Sequence, residues 1–528
     1  VLLGQEQKTL ADLIFTQDLL RRHENSVEDG HKVDTINAAS AIFSKPMSKL
    51  FDAKSQVKFA ALSGDFNPIH MDAIAARRTQ AGAPVVHGIH SLLWLLDHLA
   101  ERDLGLLKAT SLKVRFRKFL YIGDRAKIEI LQITPTSLRA GVLVDGAEVV
   151  DVSIGFGPSP RAASLPFRGT GAIPIPVPSS PVDLSLNQIQ GHAGRLSFAS
   201  TPAEAEKMFP HAARYLGAQR TAALACLSCL VGMVVPGLHS LFAGLELSIC
   251  DDQGGAAGVE FAVTSVDKRF RLVRIAVRGG GLSGSLETIC RPGKVSQPTI
   301  AQIAPSVVQD EFLGSTALIV GGSRGLGELT AKLIAAGGAR VIVTYTKGKA
   351  DADAVCAEIR EWGGFCESAA YDVRQKAASQ LAALKQTPTH VYYFATPTIF
   401  RRKRKLFDPH RFEEFNSFYL TGFLELVEAC LRLRPEGISV FFPSTVFVES
   451  RPAEMTEYAM SKAAGEVLCA DLRKFWRGAR VLARRLPPLP TDQTNSLLVP
   501  METVDPLHLI LPIVRDMQKA RTVPTVSA

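Results

Sequence analysis

Cysteine is sparse and scattered, with eight thiols in 528 residues, and Cys226, Cys229, Cys430 and Cys469 sit inside apolar stretches. That pattern argues against a disulfide-scaffolded secreted protein. It fits a reducing cytoplasm in which the sulfurs act as small buried hydrophobes. Cys226 and Cys229 form one C-x-x-C with no second pair, inside a helix-like run, which argues against a zinc or redox site. No clean membrane span is present either: the apolar stretch 222–247 is interrupted by Pro236-Gly237, His239 and several serines. It reads as a buried helix, a turn and a strand. The opening VLLGQEQKTLADLIF has no basic segment leading into an apolar core and cleavage site, so no signal peptide is expected. Val1 is not an initiator Met, and a piece of a longer protein is one reading of the chain.

What is there is ample apolar material, 46% of residues, on a chain too long for one hydrophobic core, so two to four domains are expected. A net charge of +9 suits an anionic partner. Nucleic acid is not expected: the basic run Arg401-Arg402-Lys403-Arg404-Lys405 lacks interleaved aromatics and reads as a solvated loop.

Two changes of composition divide the chain. The Pro/Gly-rich stretch 157–181 should be an extended linker, and the stretch 291–306 a softer break. Before the first, an apolar helix near residues 88–99 precedes extended segments SLKVRFRKFL, RAKIEILQITPTSL and AGVLVDGAEVVDVSIGF, implying one helix wrapped by an antiparallel sheet. Between the breaks the order recurs, with a helix over 203–235 and then LFAGLELSIC, AAGVEFAVTSVD, FRLVRIAVRG and SGSLETICR. After Leu313 short apolar strands alternate with helical segments, the pattern of a parallel sheet covered on both faces.

The stretch SGDFNPIHMDAIAARRTQAGAPVVHGIH, residues 63–90, carries chemistry. Asp65 and His70 flank Asn67-Pro68, so a turn should bring a carboxylate and an imidazole to one pocket, with Asn67 suited to orienting one of them. Moving water across a double bond beside a thioester needs such acid–base groups and a donor for the enolate oxygen. Gly88, opening the following helix, offers a backbone N–H for that task. The segment resembles the S-G-D-x-N-P-I-H signature of MaoC-like (R)-specific enoyl hydratases, whose hot-dog domains this resemblance then implies. It implies Asp65 and His70 as the catalytic pair and Gly88 as the oxyanion donor. His87 and His90 read as packing residues, and no metal is expected because the three histidines lack an accompanying carboxylate pattern. Arg77 and Arg78 read as a solvated face in preference to a phosphate contact. The second copy lacks the signature. His239 stands alone there and reads as a core or interface histidine, and the copy should cover the first sheet's open edge and wall an acyl tunnel. In dehydratase domains of modular polyketide synthases the His and Asp come from different halves, whereas here both lie in the first.

The turn GGSRGLGELTAKLI places Gly321, Gly325 and Gly327 between a strand and a helix, where glycine lets a pyrophosphate approach the helix N-terminus, and Ser323, Arg324 and Leu326 lie within it. Tyr458 and Lys462, four apart, share a helix face, the Lys being expected to lower the Tyr pKa so that the phenol protonates a developing alkoxide. Ser444 and Thr445 both offer the strand-end hydroxyl. Together with LPPLPTDQT these features resemble the short-chain dehydrogenase/reductase family from Leu313 onward. The resemblance implies Tyr458 and Lys462 as catalytic, Asp372-Val373 at the adenine and Thr491 at the nicotinamide amide. No acid follows RVIVTY, where Thr346-Lys347 stand, and Arg324 lies in the turn, so NADPH is the expected cofactor. Two positions depart from the family: its N-N-A-G is replaced by Phe394-Ala395-Thr396-Pro397, with Ala395 at the cofactor, and its helix Asn by Tyr419.

The expected architecture is thus an α+β double hot-dog followed by an α/β doubly wound Rossmann-type domain. Its expected parts are a helical extension (1–40), a catalytic hot-dog (41–156), a linker (157–184), a second, non-catalytic hot-dog (185–300) and the reductase (310–528). The expected substrate is an acyl thioester on acyl carrier protein or coenzyme A, and a homodimer is one arrangement open to the chain.

Overall fold

The computed structural model describes residues 47–102, 109–157, 174–250, 258–399, 406–492 and 504–519. The extension expected at 1–40, the basic run 401–405 and linker residues 158–173 lie outside them. The described residues fall into two compact units that divide between Gly293 and Lys294.

In the first unit, strands β1 (Ser48–Leu50), β2 (Ser111–Phe116), β3 (Arg125–Ile133), β4 (Ser137–Val144) and β5 (Ala147–Gly155) wrap helix α3 (Gly88–Glu101), which follows α1 (Ala53–Ser63) and the single turn α2 (Pro68–Met71). Ten of the fourteen α3 side chains are buried. A helix apolar on nearly all sides has to be central, and each of Leu92, Leu93, Leu95, Leu96 and Leu99, all buried, contributes roughly 1.5–3 kcal/mol by leaving water. The second half repeats the plan with β6 (Pro174–Ile175), β7 (Ala193–Ser197), α4 (Pro202–Met208), α5 (Pro210–Leu216), α6 (Ala218–Cys229), β8 (Ser240–Ile249), β9 (Gly258–Asp267), β10 (Leu272–Gly279) and β11 (Leu282–Cys290). All strands join one eleven-stranded sheet in the order β1-β3-β4-β5-β2-β8-β11-β10-β9-β7-β6. The halves meet where β2 pairs antiparallel with β8, Lys113 opposite Glu246 as an ion pair. The edge each half would otherwise expose is thereby satisfied.

Three details differ from expectation. The helix over 203–235 is broken into α4, α5 and α6, because Pro210 starts a new helix and Gly217 takes φ +94°, and it ends in a wide π turn, Leu230–Val234. The linker is not wholly apart from the sheet. Pro174–Ile175 pairs with β7 at the sheet edge, where a missing N–H is tolerated. The stretch after Lys294 belongs to the second unit, where Ile300 and Ile303 are buried in its core, so the second half ends before residue 300.

The second unit has six strands, β12 (Thr316–Val320), β13 (Arg340–Tyr345), β14 (Phe365–Ala370), β15 (His390–Tyr393), β16 (Ile438–Thr445) and β17 (Ala479–Leu486), all parallel in the order β14-β13-β12-β15-β16-β17. The strand order reverses between β12 and β15, and ligands of such sheets bind at the carboxyl ends of strands at that switch. Helix α7 (Gly325–Ala336) starts at that place, and α8 (Thr456–Phe475) presents its residues beside the end of β16. No single described helix is long and apolar enough to cross a membrane.

Candidate active sites

Local capping sets the first site. Gly64 at φ +78° ends α1, and Asn67 caps α2 by accepting from the Ile69 N–H at 3.1 Å. The turn between them brings Asp65 Oδ2 to 4.0 Å from His70 Nε2. His70 Nδ1 lies 2.8 Å from the Val85 carbonyl, an acceptor only, so in the neutral ring the proton is on Nδ1 and Nε2 is bare toward Asp65. An oxygen atom about 2.8 Å from both groups fits that separation. Gly88 is the first residue of α3, where the N–H has no partner within the helix. A Cβ there would fall 2.9 Å from the Phe116 ring.

The second half completes this site with residues no motif announced. Ser228 Oγ donates to Asp65 Oδ2 at 2.7 Å. Gly232 packs so closely that a Cβ would meet Asp65 Oδ1 at 2.3 Å. Asn67 gives its backbone N–H to Asp65 Oδ1 at 3.2 Å, while its Nδ2 donates to the Gly232 carbonyl at 2.7 Å, so it ties the two halves together. His87 is fully buried and stacks on His70 with centroids 3.9 Å apart, its Nε2 2.9 Å from the Asp65 carbonyl oxygen. Gln56 links His87 Nδ1 (3.0 Å) to His90 Nδ1 (3.1 Å), and Lys49 Nζ lies 3.1 Å from His90 Nε2. Both His87 and His90 are thus buried and bridged by Gln56, where a packing histidine was expected. The reason given against a metal does not hold, because Asp65 brings a carboxylate within 4.8 Å of the His70 and His87 ligand atoms.

Burial raises the Asp65 carboxyl above its ordinary value, with His70, Ser228 and the Asn67 N–H pulling the other way. Burial lowers the His70 imidazole, opposed by Asp65 and Val85 and helped by Arg291. The two shifts bring the proton affinities of the carboxyl and the imidazole toward each other, the direction that suits an acid and a base sharing one substrate. Removing the Ser228 donor should raise Asp65 further. Ser228→Ala is expected to lower the hydration rate roughly tenfold to a hundredfold, the worth of a hydrogen bond to a charged group, read as kcat at fixed pH with the fold checked by circular dichroism.

In the second unit Gly321 (φ +81°) lies so near the Phe394–Ala395 backbone that a Cβ would come within 3.0 Å of the Ala395 nitrogen, and at Gly327 one would meet the Gly321 oxygen at 2.3 Å. Ser323 is buried and Leu326 packs on the core. Thr491 Cγ2 lies 3.8 Å from where a Cβ on Gly325 would be. Arg324 does not stand ready for a phosphate as expected. Asp492, folded back over the glycine turn, pairs with it at 3.0 Å, which leaves Lys347, exposed just beyond β13, as the cation at that strand end. Asp372 is held by Arg374 at 2.8 Å beside buried Val373.

Thr445 and Ser444 part ways. Ser444 Oγ donates to Glu466 at 2.5 Å, whereas the Thr445 hydroxyl engages the Tyr458 phenol. The expected lowering of Tyr458 by Lys462 is not seen. Burial pushes the phenol up to about 12, and the ammonium sits 6.0 Å from the Tyr458 centroid, donating to the Pro443 carbonyl at 2.6 Å. Lys462 instead lies 3.8 Å over the ring of Tyr419, whose hydroxyl meets Thr396 at 2.5 Å. Burial brings Lys462 down to about 7.

These two sites stand on a hot-dog-like antiparallel sheet in the first unit and on a Rossmann-type parallel sheet in the second. The first unit contains a MaoC-like dehydratase domain and the second a short-chain dehydrogenase domain. The MaoC like domain family matches residues 33–151, and the short chain dehydrogenase family residues 315–497. The chain is 49% identical over 86 residues to the (R)-specific enoyl-CoA hydratase of Aeromonas caviae, covering 16% of this chain and 63% of that one. It is 30% identical over 86 residues to the probable enoyl-CoA hydratase 2 of Dictyostelium discoideum, covering 16% and 29%. It thus spans less than two thirds of either relative. A 3-oxoacyl (acyl-carrier-protein) reductase structure from Agrobacterium tumefaciens with NADP bound matches at 21% identity and a TM-score of 0.32, over 34% of this chain and 73% of that one, a likeness too loose to carry a functional argument.

Proposed function

We propose that the chain is a bifunctional acyl-thioester enzyme. Its first unit interconverts (R)-3-hydroxyacyl and trans-2-enoyl thioesters at Asp65 and His70, and its second reduces 3-oxoacyl thioesters with NADPH at Tyr458, Lys462 and Thr445. The observation that carries the first activity is the approach of the buried Asp65 carboxylate and the bare His70 Nε2 to 4.0 Å. In hydration one member of the pair takes a proton from water as its oxygen bonds to C3, and the proton the pair already holds goes to C2. The Gly88 N–H faces the thioester oxygen as negative charge develops there.

For reduction, NADPH supplies the hydride. The glycine turn fits it because Gly321 and Gly327 leave no room for side chains, and Lys347, which follows β13 where an acid would read a free ribose hydroxyl, suits a 2′-phosphate. The un-ionised Tyr458 phenol, held by Thr445, gives its proton to the carbonyl oxygen. A reductase forming a 3-hydroxyacyl thioester beside a dehydratase consuming it would make two consecutive steps of fatty-acid or polyketide-type synthesis. The names of the relatives favour coenzyme A thioesters over a carrier protein. Eight free cysteines fit a reducing compartment such as the cytoplasm.

The test uses the full chain with crotonyl-CoA, following loss of the enoyl absorbance and the configuration of the product, and separately acetoacetyl-CoA with NADPH, following cofactor oxidation. (R)-3-hydroxybutyryl-CoA is expected from both. No hydration of the enoyl substrate would reject the reading of the first unit.

A further inference from the structure

Arg291, just past the end of β11, is 6% exposed. Its Nη2 donates to the Leu238 carbonyl at 2.8 Å, and its Nε is buried with no hydrogen-bond partner among the described residues. No carboxylate among them pairs with it. Holding a guanidinium out of water on those terms is costly unless something else meets it.

His239, the lone histidine of the second half, lies beside it, the Arg291 N–H donating to the His239 carbonyl at 2.7 Å. Its Nε2 faces the Asp183 carboxylate at 3.1 Å, which places the proton on Nε2 in the neutral ring. Burial and Arg291 favour that neutral form. Nδ1 is then a bare acceptor, itself buried with no hydrogen-bond partner among the described residues. A donor and an acceptor therefore stand together. A phosphate or carboxylate would answer only the first. An amide answers both, its carbonyl accepting from Arg291 Nε and its N–H donating to His239 Nδ1.

The place also fits. The Leu238 carbonyl that Arg291 holds is 3.5 Å from Asn67 Nδ2, between Asp65 and His70 in the sequence. In a pantetheine thioester only two methylene groups separate the sulfur from the first amide. We infer that Arg291 and His239 form the subsite for that amide, fixing the thioester arm against the second half of the unit. The inference rests on the hydratase reading above.

The test compares kcat/KM of the full chain for two small substrates, the N-acetylcysteamine thioester of crotonic acid, which keeps the amide, and its n-butyl thioester, which does not. The unmodified protein should prefer the first about tenfold or more, the worth of such hydrogen bonds. Arg291→Met should bring the preference close to one, and Arg291→Lys should retain part of it. Because the preference is a ratio within one preparation, partial misfolding cancels. If Arg291→Met is inactive on both, His239→Leu carries the same expectation. Hydration of both substrates with an unchanged preference in these variants would overturn the subsite alone. Hydration of neither by the unmodified protein would overturn the hydratase reading and the subsite with it.

Discussion

Asp65→Asn is expected to reduce hydration of crotonyl-CoA by roughly 10²–10⁴-fold, and His70→Gln by a similar factor, with NADPH oxidation in the second unit unchanged. Asn is isosteric: its carbonyl, in the place of Oδ1, can still accept from the Asn67 N–H, and its NH2, in the place of Oδ2, can donate to a Ser228 hydroxyl that turns to accept, these partners meeting Asp65 at 3.2 and 2.7 Å. The fold is kept while the exchangeable proton is lost. His70→Gln removes the bare nitrogen that faces Asp65. Since the two act as one acid–base unit, the double variant should be scarcely worse than the poorer single one. The pH profile carries the same signature. His70 is held below its ordinary 6.5 by burial, so its accepting nitrogen is lost only as pH falls through that depressed value, and the acid limb of kcat/KM should lie below 6.5. Full activity in Asp65→Asn would remove the carboxyl from the mechanism.

The first half of this site was legible because its parts lie within one turn and one helix start. Asp65, Asn67, His70 and Gly88 fall in a single stretch whose turn and helix signals fix their convergence. Ser228 and Gly232 were not, since they reach Asp65 from more than 160 positions away and sit in an apolar run that reads only as a core helix. A glycine inside such a run was the available hint, because a close approach is one reason for it. The breaks at Pro210 and Gly217 were likewise present as punctuation, yet the apolar composition on both sides concealed them. In the second unit the strand–helix alternation determined the sheet, whereas the use of Arg324 depended on Asp492, whose return over the glycine turn no local pattern encodes.

The largest effect in the second unit is expected at Tyr458. Tyr458→Phe should lower reduction of acetoacetyl-CoA by roughly 10²–10⁴-fold and leave hydration intact, because the ring still packs against Phe415 and Tyr419 at 5.6 and 5.9 Å while the proton donor is gone. With its phenol near 12, Tyr458 keeps its proton at any working pH. The pH dependence then falls to Lys462. Its descent from 10.5 to about 7 corresponds to about 5 kcal/mol against the charged form, more than the roughly 2 kcal/mol that a desolvated cation–π contact with Tyr419 returns. A lysine lowered in this way is an ammonium below that value and neutral above it, so reductase activity should decline as pH rises through about 7. Tyr419→Asn opens space for water and an amide beside the ammonium. It should therefore move that limb toward higher pH and raise kcat above the limb of the unmodified protein. The profile of NADPH oxidation against pH for both proteins decides it: a limb that stays in place would show that Tyr419 does not set the charge of Lys462.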